Sequence, residues 1–310
     1  MALSDIILLD FKLHHFCRIS WTSQKAREMW EPRFQQIRQM LGELKRHMLA
    51  EGLLGFDLQY IPLHERKALR NAVSPYGLIV RAIQSPPSAL APFLHHLPEE
   101  ESINIFVLIG RKANVLAAQT AIREGDVAAF HQARGIPSCC TQSMLLRHQH
   151  RLFDPNWASL TSELAQDATP RTLQTTGNLL THTLLHPLGL RLLPYTPCSP
   201  NCSHSIQRSQ DLLSLARSQG YSSPSDWLIQ ILSWPLSWSA LHGIAETKLP
   251  ILKYSSPTDP TAHKYTLHQS GSAYPDLGER GLSFPYKRPP KLYFSETKAF
   301  KKGLEQDIEG

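Results

Sequence analysis

Four of the five cysteines in this chain sit in two short Pro-rich turns. The first is "GIPSCC", residues 135–140, and the second is "PCSPNC", residues 197–202. Each turn leads into a stretch of helical pattern. Thiolates are strong ligands for zinc, iron and iron–sulfur clusters, and four of them complete a tetrahedral shell. Local pairs brought together from distant turns supply such a shell at small extra cost in chain entropy, because the second member of each pair is already near the first. The spacing matches neither a zinc-finger nor a ferredoxin pattern. The plainer reading is four small core residues at turn-to-helix junctions. We favour a shared centre, Cys139, Cys140, Cys198 and Cys202, because both pairs have the same Pro-turn-helix context. Cys198 and Cys202 share one side if their segment enters a helix. Cys139 and Cys140 are adjacent and diverge on a helix, so one can ligate while the other packs. Cys17 stands apart and reads as a buried small apolar residue.

The chain has 310 residues, 42% hydrophobic and 19% charged, ordinary values for a globular protein with a substantial core. No apolar run approaches the length of a membrane helix. The first residues, "MALSDIILLDFK", carry no basic region or cleavage site of a signal peptide. The expected compartment is the cytoplasm, with no membrane partner. There, clustered cysteines point to metal or redox chemistry rather than to disulfides. A net charge of +6 permits nucleic-acid binding, but no motif supports it, and the small-molecule or peptide substrate is not named by the sequence.

Periodicity predicts an α/β fold, a mixed sheet with flanking helices and a β-rich C-terminal part. "WEPRFQQIRQMLGELKRHMLA", residues 30–50, reads as an amphipathic helix with Phe34, Ile37, Leu41, Leu44 and Met48 inward and Pro32 in its first turn. Residues 53–82 read as short strands and turns, and "QSPPSALAPFLHHLPEEES" as a loop-rich connector. "INIFVLIG" reads as a buried strand followed by two helices closing at Gly125 and Gly135. Its exit at Gly110-Arg111 could offer a helix N-terminus to an anion, but an ordinary strand-to-helix turn is the better reading. Further helices are expected over "RTLQTTGNLLTHTLLH", over "SHSIQRSQDLLSLARSQG" and from Ser222 to Trp234 with Ser225 as N-cap, with a strand at "LGLRLLPY". The stretch around Gly243 reads as strand, bend, strand. We expect one α/β domain over 1–290, made of an N-terminal helical and strand part (1–100), a cysteine-motif core (101–234) and a β-rich part (235–290), then a charged tail (291–310).

The two motifs, with "ALHGIAETKLP" and "GLSFPY" further on, resemble a group of prokaryotic proteins of little-known chemistry. That group carries a Gly-x-Pro-x-Cys-Cys motif and a later Pro-Cys-Ser-x-x-Cys-x-x-Ser motif. Gly135, Pro137, Cys139 and Cys140 match the first; Pro197, Cys198, Ser199, Cys202 and Ser205 match the second. The resemblance spans about the last two-thirds of the chain and implies a shared site without naming a reaction. A histidine often precedes the second motif in the group; that position here is Tyr195.

Other residues invite chemistry. His242, Glu246 and Lys248 share parity along the alternating stretch. On one strand face they could serve as catalytic acid–base groups beside the cysteines, or form the wet face of an antiparallel hairpin. His182 and His186, with Asn178, would share a helix face, though core packing explains "HTLLHP" better. His148 and His150 read as surface residues. No phosphate-binding glycine loop, dinucleotide fingerprint or nucleophile elbow is present. The leading expectation is therefore a metal-dependent enzyme, an oxidoreductase with an iron–sulfur cluster or iron on the four cysteines. The alternatives are a binding protein with structural zinc, RNA among its conceivable ligands, and a metal-free thiol-redox or sulfur-transfer protein.

Overall fold

The computed structural model describes residues 17–83, 104–149, 154–162 and 171–275. The expected connector, the charged tail, His150, the side chain of His148 and "GLSFPY" lie outside the described residues. In chain order the elements are β1 (Arg18–Trp21), α1 (Gln24–Glu51), β2 (Phe56–Pro62), α2 (Arg66–Val73), β3 (Ile79–Ile83), β4 (Asn104–Gly110), α3 (Lys112–Glu124), α4 (Val127–Arg134), α5 (Ser138–Gln149), α6 (Pro155–Leu160), β5 (Thr172–Thr175), α7 (Ser203–Ser218), α8 (Ser222–Leu232), β6 (Leu236–Leu241), β7 (Ile244–Lys248), β8 (Leu252–Pro257) and β9 (Tyr265–Gln269). They form a mixed sheet of order β1-β8-β7-β6-β9-β5 and an antiparallel sheet of order β2-β4-β3. The larger sheet is antiparallel except where β5 runs parallel to β9. The α/β class with a β-rich C-terminal part is thus what the chain adopts. Among the described residues, no helix is long and apolar enough to cross a membrane.

Helix α1 is the axis of the core. Its buried residues Trp30, Phe34, Ile37, Met40, Leu44 and Met48 recur at three- and four-residue steps, one stripe along 28 residues. The helix starts earlier than its periodicity suggests. The Ser23 hydroxyl accepts from Ala26 N at 3.1 Å and caps it, leaving Pro32 inside rather than in the first turn. Leu41 lies at the border of the stripe, only partly buried, and Met40 takes the inward position. Trp30 meets Trp234 edge-on at 4.8 Å, which ties α1 to the end of α8 and the start of β6.

The large sheet turns Leu236, Trp238, Ala240, Ala245, Thr247, Leu252, Tyr254 and Leu267 inward, the alternation a sheet with one wet face requires. One hydrophobic cluster runs from Ala26 to Leu267 and includes both α1 and this face. The smaller sheet lays β4 between β2 and β3. Phe56 and Leu108 face α3 and α4 through Val115, Ala118, Ala121 and Phe130.

Three expected stretches differ. Residues 53–82, expected as short strands and turns, also hold the helix α2 between β2 and β3. The expected helix from Arg171 is instead the short strand β5 followed by 3-10 turns at Leu179–Thr181 and His186–Leu188. Asn178 Oδ1 accepts from Leu180 N at 2.9 Å and starts the first turn; Gly189, at φ 74°, ends the second. The expected strand "LGLRLLPY" is irregular chain, because its hydrogen bonds go locally, Leu190 N to Leu185 O among them. Helix α8 begins where expected, but Tyr221 is its N-cap. Ser225 is buried and donates to Tyr221 O at 2.7 Å. Cys17 is exposed, not a core residue, because it precedes the edge strand β1.

Candidate metal centre

The two cysteine turns converge. Gly135 ends α4 at φ 84°, and its N–H and that of Ile136 close the helix onto Gln132 and His131 carbonyls. Pro137 then directs the chain into α5, so Cys139 and Cys140 fall in its first turn. Their sulfurs do not diverge. Side chains tilt toward a helix N-terminus, and at the open end both reach past the first turn, 3.9 Å apart. The second turn arrives as an irregular loop pinned by its carbonyls. Pro197 O accepts from Ser159 Oγ at 2.8 Å and from Arg147 Nη2 at 3.3 Å, and Pro200 O accepts from Thr181 Oγ1 at 2.6 Å. Cys202 is the N-cap residue of α7.

The ligand atoms of Cys139, Cys140, Cys198 and Cys202 all lie within 4.8 Å of one another, a group that could hold a metal ion. Cys202 Sγ is 3.7 Å from both Cys139 Sγ and Cys140 Sγ. Four thiolates at about 2.3 Å around one tetrahedral ion stand about 3.8 Å apart. Cys140 and Cys202 are buried; Cys139 and Cys198 are partly exposed. Ile136, Leu193, Tyr195 and Met144 pack around the sulfurs.

The polar surroundings favour thiolate at Cys202, whereas at Cys140 and Cys198 burial outweighs them. Cys198 N donates toward Cys140 Sγ at 3.4 Å, and Ser205 Oγ lies 3.4 Å from the same sulfur. The N-termini of α5 and α7 both point at the cluster. Burial raises the Cys202 thiol, but hydrogen bonds from Ser205 and its cysteine neighbours outweigh it and bring the pKa to about 7. Burial pushes Cys198 up to about 11, with the Cys202 contact and charge adding to it, and pushes Cys140 up further. Arg147 is 7% exposed and acts electrostatically on Cys140 and Cys198. It also donates to Ser143 O and Pro155 O, so one cation joins α5, α6 and the second turn.

Tyr195 is buried and is a step removed from the sulfurs. Its hydroxyl lies 3.2 Å from Ser205 Oγ, which in turn touches Cys140. His204, overlooked in the sequence, is nearer: its Nδ1 is 3.9 Å from Cys139 Sγ. Its signal was position, two residues after Cys202 on α7. Arg147 gave none, one cation among many.

His242, Glu246 and Lys248 do not all occupy one strand face. His242 is in the tight turn between β6 and β7, exposed, at φ 51°, beside Gly243 at φ 80°. Positive φ at both residues is the two-residue hairpin geometry that matches strand twist. Glu246 and Lys248 share the outer face, paired at 2.9 Å, with Lys253 and Lys264 also acting on the Glu246 carboxylate. Ala245 and Thr247 take the core face instead. His182 and His186 share no helix face. His182 is buried, its Nδ1 accepting from Leu184 N at 3.2 Å, whereas His186 is exposed. No protein-family model, curated protein or solved structure matches the chain.

Proposed function

We propose that the chain is a metal-dependent protein whose four cysteines hold a single zinc ion in a closed, structural centre. The spacing of the sulfurs carries this reading: Cys139, Cys140 and Cys202 stand 3.7–3.9 Å apart, the separation of one tetrahedral shell, and Cys198 Sγ lies within 4.8 Å of all three. In a four-iron cluster each thiolate binds a different iron on the outside of the core, so its sulfurs stand further apart. All four positions are filled by protein, which leaves no open position for a substrate, the mark of a structural rather than a catalytic zinc site. The ion would join α5 to the loop before α7, two segments otherwise held by Arg147 and the carbonyl bonds of Pro197. With the metal structural, the role this reading gives the chain is binding, on the scaffold the metal would hold. The prokaryotic group with the same two motifs would share the centre.

A second reading has one specific observation in its favour. Cys139 and Cys198 are partly exposed, and a mononuclear iron in the same shell would have a short path to a redox partner. Purification of the full chain without oxygen, with metal analysis and a visible spectrum, separates the readings. The expected result is about one zinc per chain and no colour. One coloured iron per chain supports the redox reading. Several irons with acid-labile sulfide would replace both by a cluster enzyme, and no metal with four reactive thiols would leave thiol-redox chemistry.

A further inference from the structure

The four sulfurs differ in what can reach them. Cys140 and Cys202 are buried, whereas Cys139 and Cys198 are partly exposed. Cys139 lies in the first turn of α5, and one neighbour of its sulfur is the exposed His204, with Nδ1 3.9 Å away. The same sulfur is 3.7 Å from Cys202 Sγ and 3.9 Å from Cys140 Sγ. A small oxidant arriving from solvent therefore meets a sulfur that already touches two others.

Geometry selects the partner. Adjacent residues have Cα atoms about 3.8 Å apart, below the roughly 4.4 Å that an ordinary disulfide needs, so Cys139 and Cys140 do not suit each other. Cys140 and Cys202 also stand 3.7 Å apart, but both are buried. Cys198 lies within 4.8 Å of the other three. Cys139 and Cys202 combine an exposed sulfur, a 3.7 Å contact and two separate elements, 63 residues apart in sequence. Cys202 is the N-cap residue of α7, at the end of an irregular loop. Its sulfur can close the ~1.7 Å between this contact and a bond of about 2.05 Å without unwinding a helix. Bonds that use no sulfur hold the two turns meanwhile. Arg208 of α7 donates to Gly135 O, and Arg147 of α5 donates to Pro197 O at 3.3 Å.

We propose that Cys139 and Cys202 form a peroxide-sensitive switch, closing to a disulfide that releases the metal and keeps the two turns joined. The inference rests on the zinc reading above and adds regulation to it. The Cys139 sulfur attacks one oxygen of hydrogen peroxide. An S–O bond forms, the O–O bond breaks, and the leaving hydroxide takes a proton from solvent. The Cys202 sulfur then attacks the Cys139 sulfur. The S–S bond forms, the S–O bond breaks, and the second hydroxide leaves and is protonated. Two thiolates give up two electrons, and the peroxide is reduced to two waters. Cys140 and Cys198 remain, and two thiolates are half of a zinc shell. The new bond closes the long loop between its ends, which restricts the unfolded chain in place of the metal.

The test starts from the full Cys17→Ser chain, which leaves only the four clustered thiols, isolated without oxygen and assayed for zinc. Hydrogen peroxide is the probe. A chromogenic chelator reads released zinc, and mass spectrometry of the alkylated digest maps the bridge. The expected result is release of the bound zinc together with a Cys139–Cys202 disulfide, and recovery of zinc binding on reduction with dithiothreitol. The oxidised chain should unfold at a higher temperature than the reduced chain stripped of zinc. Cys198→Ser should still form the bridge. Cys202→Ser should not, and its Cys139 should be trapped as sulfenic acid by dimedone. Should Cys202→Ser fail to fold, the bridge map of the parent chain decides alone. A zinc-loaded chain that keeps its zinc under peroxide, a bridge through Cys140 or Cys198 instead, or oxidation that runs to sulfinic acid overturns the switch and leaves the metal centre standing. A chain isolated without zinc overturns the metal reading first, and the release with it.

Discussion

Serine in place of Cys198 or Cys202 keeps nearly the same volume but offers a hydroxyl that stays protonated near neutral pH and binds soft metals poorly. If one ion sits among the four sulfurs, either substitution removes a quarter of its shell. Metal per chain should then fall well below that of wild type, and the thermal midpoint should fall with it, because ligands assemble only in the folded chain. Cys17→Ser should retain full metal, since Cys17 is exposed ahead of β1 and outside the cluster. Unchanged metal in both Cys198→Ser and Cys202→Ser would return the cysteines to simple core packing. The sequence made this cluster legible because thiols are few and their chemistry narrow. Residues with many uses were not legible: Arg147 looks like any basic residue until its bonds to Pro197, Pro155 and Ser143 are seen. The parity of Glu246 and Lys248 was readable too, but parity says only that two side chains share a face, not which face is wet.

At the scale of elements, legibility followed the range of the interactions. α1, β4, α7 and the β6–β7 hairpin have local periodicity that survives folding. Residues 172–195 do not. β5 is a strand because β9, far along the chain, lies parallel to it, and the Pro-rich loop is irregular because its partners are Thr181, Ser159 and Arg147. Two glycines separate close approach from mere flexibility. Gly42 lies inside α1 with nothing within 4 Å of an added Cβ. Gly42→Ala should therefore stabilise the fold, by about 0.5–1 kcal/mol through helix propensity. At Gly55 an added Cβ would meet the Ala133 carbonyl, which is backbone and cannot swing aside. Gly55→Ala should cost more than about 2 kcal/mol, through strain and the threatened Gly55–Arg134 bond. It should also loosen metal binding, because that bond anchors the end of α4 ahead of the first cysteine turn. Equal and small effects at both positions, measured by denaturant unfolding, would contradict this assignment of close approach.

The fold joins distant parts of the chain, β1 to β8 across the large sheet, α1 to the core face of that sheet, and β2 and β4 to α3 and α4. Such closure buries groups whose ionisation then reports on the fold as a unit. His131 is 2% exposed in α4, edge-on to Phe130, with Nδ1 buried and without a partner. Burial, helped by the Arg134 charge, lowers its pKa to about 4, and burial does the same to His182. An unfolded histidine titrates near about 6.5. Between these values the unfolded chain binds more protons than the folded one, so stability rises with pH and is lost as pH falls from about 6.5 toward about 4. Asp259 works against this. Burial and the Asp154 charge raise it to about 6, so the folded chain takes up a proton there before the unfolded chain does, which adds stability as the pH drops. The two effects overlap in wild type, and a variant is needed to separate them. His131→Leu removes one histidine, fills the same apolar setting and leaves Asp259 in place. Its stability near pH 7 should match or exceed that of wild type, because a buried unpaired nitrogen is gone. From about pH 6 down to about 4.5, wild type should lose stability faster than the variant by up to about 1.4 kcal/mol per pH unit, the weight of one proton. Chemical unfolding of both proteins across that range measures the difference directly. Parallel curves would mean that His131 titrates alike in the folded and unfolded chain, and that its burial does not hold the imidazole neutral.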